Sequence, residues 1–208
     1  MIFFRIYEQR GQLRKEARYR MNHQSIKNLT LTATFLAIGL LLPFLTGQIP
    51  QIGNMLLPMQ IPVFLCALIC GWQYGLPMAV ILPLMRSLIF GAPPLFPTAV
   101  SMAFELGTYA FVAGFLYAHS KWQCIRALYR CILIAMIAGR FVWGVVQAIL
   151  LGLSGSAFPF SAFLAGALLN AIPGIIIQLI LIPSVMLALD RTKLVPFKRP
   201  QKHEPAVE

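Results

Sequence analysis

The stretch "LPLMRSLIFGAPPLFPTAVSMAFELGTYAF", residues 82–111, decides the fold because two apolar runs meet there at a break rich in Gly and Pro. Both runs extend outward into stretches close to the length at which a helix crosses a bilayer. Arg86 and Glu105 lie inside them, although the chain has no Asp, Glu, Lys or Arg between Asn28 and Met85. An ionised side chain at mid-bilayer costs about 2.5–3.5 kcal/mol or more, so we expect both residues to face a cavity or a partner.

The composition of the whole chain indicates an integral membrane protein. Of its 208 residues 59% are hydrophobic and 11% are charged, and the mean hydropathy is +0.76. A soluble domain of this size needs a more charged exterior. We therefore predict an all-α multi-pass protein of the plasma membrane, folded as a compact bundle of six transmembrane helices.

The six predicted spans form one membrane domain, residues 25–190, between a basic arm, residues 1–24, and a basic tail, residues 191–208. In chain order the spans cover residues 29–45, 58–72, 75–90, 97–117, 129–153 and 161–189. The second is short, and prolines at its start need neighbouring groups to satisfy the carbonyls they leave free. An even number of spans places both termini on the same side of the membrane.

Positive charge predicts which side that is. The net charge is +11, and nearly all of the 17 Lys and Arg residues lie before the first span, in the middle connection or after the last span. The opposite three connections carry no charged residue, so the positive-inside rule places both termini in the cytoplasm. This distribution predicts contact with the lipid bilayer and no nucleic-acid partner. The arm itself is either attracted to anionic lipid or simply solvated.

Patterns for catalysis or metal binding are weak. Cys66 and Cys70 are one helical turn apart in an apolar span, where small hydrophobic side chains are expected, and the histidines, at positions 23, 119 and 203, fall in cytoplasmic segments. The phosphate-binding pattern GxxxxGK[ST] is absent from the sequence. We therefore predict no catalytic residue, no metal and no cofactor. An intramembrane enzyme that uses Glu105 or Arg86, and a secondary transporter working alone, remain as alternatives.

Polar residues within the spans form the candidate substrate site. The rise of about 1.5 Å per helical residue places them between the outer surface and the middle of the membrane. The set comprises Arg86, Glu105, Thr108, Tyr109, Arg140, Trp143, Gln147 and Asn170. Glu105, Thr108 and Tyr109 share one face of the fourth span, and Arg140, Trp143 and Gln147 share one face of the fifth.

These residue types predict a site for a polar metabolite. Two cations, one anion, amides and aromatic walls suit a ligand that bears a carboxylate or a similar acceptor. The alternative is an Arg86–Glu105 ion pair that only joins the third and fourth spans. In the first span, Ala33 and Ala37 are four residues apart, and small residues at that spacing allow another membrane helix to approach closely.

At these residues the chain resembles the substrate-binding S components of energy-coupling factor (ECF) transporters. The resemblance covers residues 25–189 and rests on the six spans, on Ala33-x-x-x-Ala37 and on two longer stretches. These are "LPMQIPVFLCALICGWQYG", residues 57–75, and "PLMRSLIFGAPPLFPTAVSMAFELGTYAFVAGFLY", residues 83–117.

The resemblance implies a function and a set of partners. A protein of this kind binds a vitamin near the outer face, and import is driven by a coupling transmembrane subunit and two ATPase subunits, the S component toppling in the membrane to release its cargo. Ala33 and Ala37 then contact the coupling subunit. The "GAPPLFPT" and "FELGTY" segments are most similar to the pantothenate-type group, while folate, riboflavin, cobalamin and a queuosine precursor stay open as substrates.

Overall fold

A bundle of six helices is formed by the residues that the computed structural model describes, namely 24–43, 58–120, 124–153 and 172–191. The helices are α1, Gln24–Pro43; α2, Gln60–Ile69; α3, Trp72–Phe90; α4, Val100–His119; α5, Ile125–Leu153; and α6, Ile172–Arg191. Five of them are long and apolar enough to cross a membrane, α4 together with the helical turn before it. The predicted all-α membrane bundle is thereby confirmed. Residues 1–23 of the predicted arm, residues 192–208 of the predicted tail and residues 161–171 of the sixth span lie outside the described residues.

Helix α2 is shorter than the span predicted at residues 58–72. Its 10 residues give a length of about 15 Å, roughly half the thickness of the hydrocarbon core. Every residue from Gln60 to Leu68 is buried, so the helix lies inside the bundle. The chain leaves it through Gly71, whose φ of 90° is a conformation that favours glycine, and α3 begins at the next residue.

Small residues bring α2, α3 and α4 into close contact. A Cβ added at Gly75 of α3 would lie 2.8 Å from the Ala67 Cα atom of α2, and one added at Gly114 of α4 would lie 2.9 Å from the Ala67 carbonyl oxygen. Helices in a membrane associate through such close packing, since lipid tails offer no hydrophobic exclusion. The result places α4 at the centre of the bundle, in contact with α2, α3 and α5.

Helix α1 lies at the periphery. Among its residues only Gly39 and Pro43 are buried, and a Cβ at Gly39 would lie 2.8 Å from Leu82 of α3. Ala33 and Ala37 are both exposed. The pair predicted to contact a partner helix is therefore on the open face of α1, as such a contact requires; the contact itself stays a prediction.

The connection between α3 and α4 has the predicted break. Helix α3 ends at Phe90 and is capped by Gly91, whose φ of 67° lies in the left-handed region and whose N–H donates to the Ser87 carbonyl oxygen over 2.9 Å. A wide helical turn, Leu95–Ala99, then leads into α4. Pro93 and Pro94 follow in the connection, and they disfavour continuation of the helix because proline lacks the N–H that a continuous helix needs.

Candidate functional site

Glu105 is the centre of a buried polar group. It lies in α4, is 3% exposed, and its Oε1 atom is 3.0 Å from Arg140 Nη1 of α5. The sequence offered Arg86 as the partner of Glu105, and the ion pair that the structure records is instead with Arg140. The physical reason is position along the helices: Arg86 lies near the end of α3 and donates to the Ala92 carbonyl oxygen, while Arg140 is in the middle of α5, which packs against α4.

Tyr109 completes the carboxylate's surroundings on α4. Its hydroxyl donates to Glu105 Oε1 over 2.6 Å, its ring is fully buried, and the ring stacks on Phe64 of α2 with centroids 5.2 Å apart. On the other side lies Gly139, where an added Cβ would overlap the Tyr109 ring. The absence of a side chain at Gly139 lets α5 approach Tyr109, and the next residue, Arg140, thereby reaches Glu105.

Two amides that the sequence analysis missed join this group. Gln60, at the start of α2, donates through Nε2 to Glu105 Oε1 over a long 3.5 Å hydrogen bond. Gln178 of α6 donates through Nε2 to Gln60 Oε1 over 2.9 Å. Both are buried, Gln178 completely. A single amide within an apolar stretch, as in "IIIQLILI" at residues 175–182, was the available signal.

Arg86 belongs to a different place in the bundle. Its side chain lies near the C-terminal end of α3, is 9% exposed, and donates through Nε to the Ala92 carbonyl oxygen over 3.0 Å. That carbonyl is in the Gly- and Pro-rich connection, one residue beyond Gly91. The two arginines predicted for one site thus occupy two positions, Arg140 against Glu105 and Arg86 against the connection.

The other residues predicted for the substrate site lie on α4 and α5 or outside the described residues. Thr108 is half-buried, and its hydroxyl donates to the Phe104 carbonyl oxygen of its own helix over 2.8 Å. Trp143 and Gln147 follow Arg140 along α5 and are half-buried. Asn170 lies outside the described residues.

Three side-chain atoms on α5 and α6 are buried and have no hydrogen-bond partner among the described residues. They are Arg140 Nη2, Gln147 Oε1 and Gln178 Oε1. Buried polar atoms are nearly always hydrogen-bonded, to protein or to bound molecules. One donor on α5 and two acceptors, one on α5 and one on α6, are therefore left without a hydrogen bond from the described residues.

The comparisons with known proteins agree with this architecture. The family described as "ECF transporter, substrate-specific component" matches residues 27–186. The match includes all six described helices except the first three residues of α1 and the last five residues of α6. Among curated proteins and among solved structures, no match reaches significance. With three quarters of its length matched by that one family, a bundle of membrane-spanning helices and a polar group at its centre, the chain belongs to the substrate-specific components of ECF transporters.

Proposed function

We propose that this chain is the subunit that binds pantothenate from outside the cell and delivers it to an ATP-driven importer. Membership of the family implies association with an energising module. In the proposal that module consists of the coupling transmembrane subunit and two ATPase subunits, and Ala33 and Ala37 on the exposed face of α1 meet the coupling subunit. The observation that carries the proposal is the buried Glu105–Arg140 pair with polar atoms left over for a ligand.

The Glu105–Arg140 pair has a hydrogen-bond donor that a purely structural ion pair would not leave unused. Taking two charges out of water is costly unless hydrogen bonds satisfy all of their atoms. Here Glu105 Oε1 is well supplied, with Arg140, Tyr109 and Gln60 all directed at it. Arg140 Nη2 has no described partner. A ligand oxygen in front of Nη2 supplies the missing partner, and this favours a binding role over a structural one.

The charges divide the substrate into two parts. Because Glu105 balances the charge of Arg140, that end of the site offers hydrogen bonds with no net charge. We assign the substrate carboxylate to Arg86, whose guanidinium lies at the outer connection beside Ala92. Pantothenate has a carboxylate at one end, and an amide and two hydroxyl groups toward the other, so it matches this division. Folate, riboflavin, cobalamin and a queuosine precursor are the alternative substrates.

Uptake in cells tests the proposal as a whole. The chain is produced in cells that lack pantothenate uptake of their own, with and without the coupling subunit and the two ATPase subunits. Labelled pantothenate should accumulate only when all partners are present, and the partners should copurify with the tagged chain. Accumulation without the ATPase subunits would instead identify a secondary transporter, and accumulation of a different vitamin would reassign the substrate.

A further inference from the structure

The chain of hydrogen bonds from Glu105 to Gln178 has a fixed direction. An ionised carboxylate can only accept, so the Gln60 group that faces Glu105 is the NH2 end of its amide. The oxygen of Gln60 then points the other way, toward Gln178. The Gln178 group that meets it is again the NH2 end, which leaves Gln178 Oε1 at the end of the chain.

The carboxylate thus sets the orientation of two amides on two other helices. The orientation of an amide follows from its hydrogen-bond network, because its oxygen and nitrogen have nearly the same shape. In this network a reversed Gln60 would set its oxygen against Glu105 Oε1, two acceptors facing each other. The same reversal would set its NH2 group against that of Gln178. Glu105 therefore excludes the reversed arrangement at both contacts.

We infer that Gln178 Oε1 is a specificity-determining acceptor of the substrate site, oriented by Glu105 through Gln60, and that it receives a hydroxyl or amide N–H of the substrate. The inference rests on the proposed function and deepens it, because it states which kind of group the ligand must present at this point. A ligand with an acceptor there meets an oxygen and is rejected, as sites with buried polar groups reject the analogue that leaves them unpaired.

The burial of the Gln178 side chain supports its role as an acceptor for the substrate. Gln178 is 0% exposed, and its Oε1 atom has no hydrogen-bond partner among the described residues. It lies in the buried stripe of α6 that continues with Ile182 and Met186, one and two turns along. These neighbours on α6 offer no hydrogen-bond donor, so an acceptor held there depends on a donor that arrives with a bound molecule.

The ligand itself supplies the first test. Pantothenate is compared with three analogues that each lack one donor: two in which a hydroxyl is replaced by hydrogen, and one in which the amide N–H is replaced by an ester oxygen. Calorimetry on the purified full chain should show that one analogue binds about 5- to 150-fold more weakly than pantothenate. If all three bind as tightly as pantothenate, no donor is required and the inference is overturned.

A variant then identifies Gln178 as the acceptor. In Gln178→Leu the sensitive analogue and pantothenate should bind with the same affinity, because the group that distinguishes them is gone. Ser184→Ala, an exposed position on the same helix whose hydroxyl bonds only its own backbone, is the matched control and should keep the full discrimination. Discrimination that survives in a folded Gln178→Leu protein places the acceptor elsewhere and overturns the inference. If Gln178→Leu does not fold, Gln178→Met, which keeps the side-chain length and lacks the acceptor, takes its place with the same expected and contradicting results.

The outcome also separates this inference from the proposed function. Wild-type protein that binds none of pantothenate, folate, riboflavin, cobalamin or the queuosine precursor contradicts the vitamin-binding role and, with it, the inference. Wild-type protein that binds pantothenate but ignores the loss of every donor supports the proposed function and contradicts the inference alone.

Discussion

Arg140 Nη1 of α5 and Glu105 Oε1 of α4 lie 3.0 Å apart in the interior of the membrane bundle. Because Glu105 also accepts from Tyr109 on its own helix and from Gln60 on α2, and Gln60 is bonded to Gln178 on α6, one carboxylate links four helices. The pair therefore affects both the packing of the bundle and the polarity of its interior, and each effect has its own consequence for variants.

The stability of the pair should depend on both members at once. Arg140→Met leaves the Glu105 carboxylate buried without its counter-ion, and we expect it to lower the free energy of unfolding by about 3–5 kcal/mol. Adding Glu105→Leu removes that uncompensated charge and should recover most of the loss. Thermal unfolding of the two single variants, Arg140→Met and Glu105→Leu, and of the double variant in detergent measures this coupling. A double variant less stable than the single one by the full cost of Glu105→Leu alone would show that the two residues do not interact.

Gly139 should be intolerant of any side chain. In Gly139→Ala the new methyl group overlaps the Tyr109 ring, so either the ring or α5 must shift, at a cost of about 1–3 kcal/mol in the free energy of unfolding. Gly152→Ala, near the end of the same helix, is the matched control, because nothing lies within 4 Å of its added Cβ. It should be neutral, or more stable by up to about 1 kcal/mol from helix propensity. Equal thermal stability of the two variants would contradict the close approach of α5 to Tyr109.

The exposed face of α1 should matter for uptake and not for binding. Ala33→Trp and Ala37→Trp place a large ring where the partner helix is proposed to pack, so we expect the uptake rate to fall about tenfold or more while vitamin binding by the isolated chain stays unchanged. Ile137→Trp on α5, a position that is 72% exposed, is the control for a bulky ring facing lipid. Normal uptake by both α1 variants, together with normal copurification of the coupling subunit, would refute the assignment.

The orientation of the bundle is testable with one introduced and one natural cysteine. Ala92 is exposed in the connection predicted to face outside, and Cys124 is exposed at the start of α5, on the predicted cytoplasmic side, while the other three cysteines are buried. In intact cells an impermeant maleimide should label Ala92→Cys and leave Cys124 unlabelled until the membrane is opened. Labelling of Cys124 from outside would reverse the topology.

The bundle was predictable from the sequence because hydropathy and charge distribution report directly on membrane spans. The end of α3 just before Gly91 was equally predictable, since a Gly-Ala-Pro-Pro run does not continue a helix. The short length of α2 was not predictable, because the apolar run at residues 58–72 has the composition of a membrane span. The positive φ of Gly71 and the burial of both faces of α2 show that it is a short helix inside the bundle.

The site was predictable in its residue types and not in its pairings. Glu105, Tyr109 and Arg140 are together in the structure, as their faces on the fourth and fifth spans predicted. Which arginine met Glu105 depended on the contact between α4 and α5, which in turn depends on the missing side chain of Gly139. The bond from Gln178 to Gln60 joins residues 118 positions apart, and a periodic pattern within one span carries no information about such a contact.

Calorimetric binding of pantothenate to the purified chain, and to the double variant Arg140→Met with Glu105→Leu, tests the central claim most directly. The wild-type chain should bind one pantothenate molecule per protein. The double variant should remain folded by thermal unfolding and lose about 2–5 kcal/mol of binding free energy, roughly thirty-fold to several-thousand-fold in affinity, because a buried hydrogen-bonding charge no longer meets the ligand. A folded double variant that binds pantothenate with wild-type affinity would contradict the claim that this pair lies at the substrate.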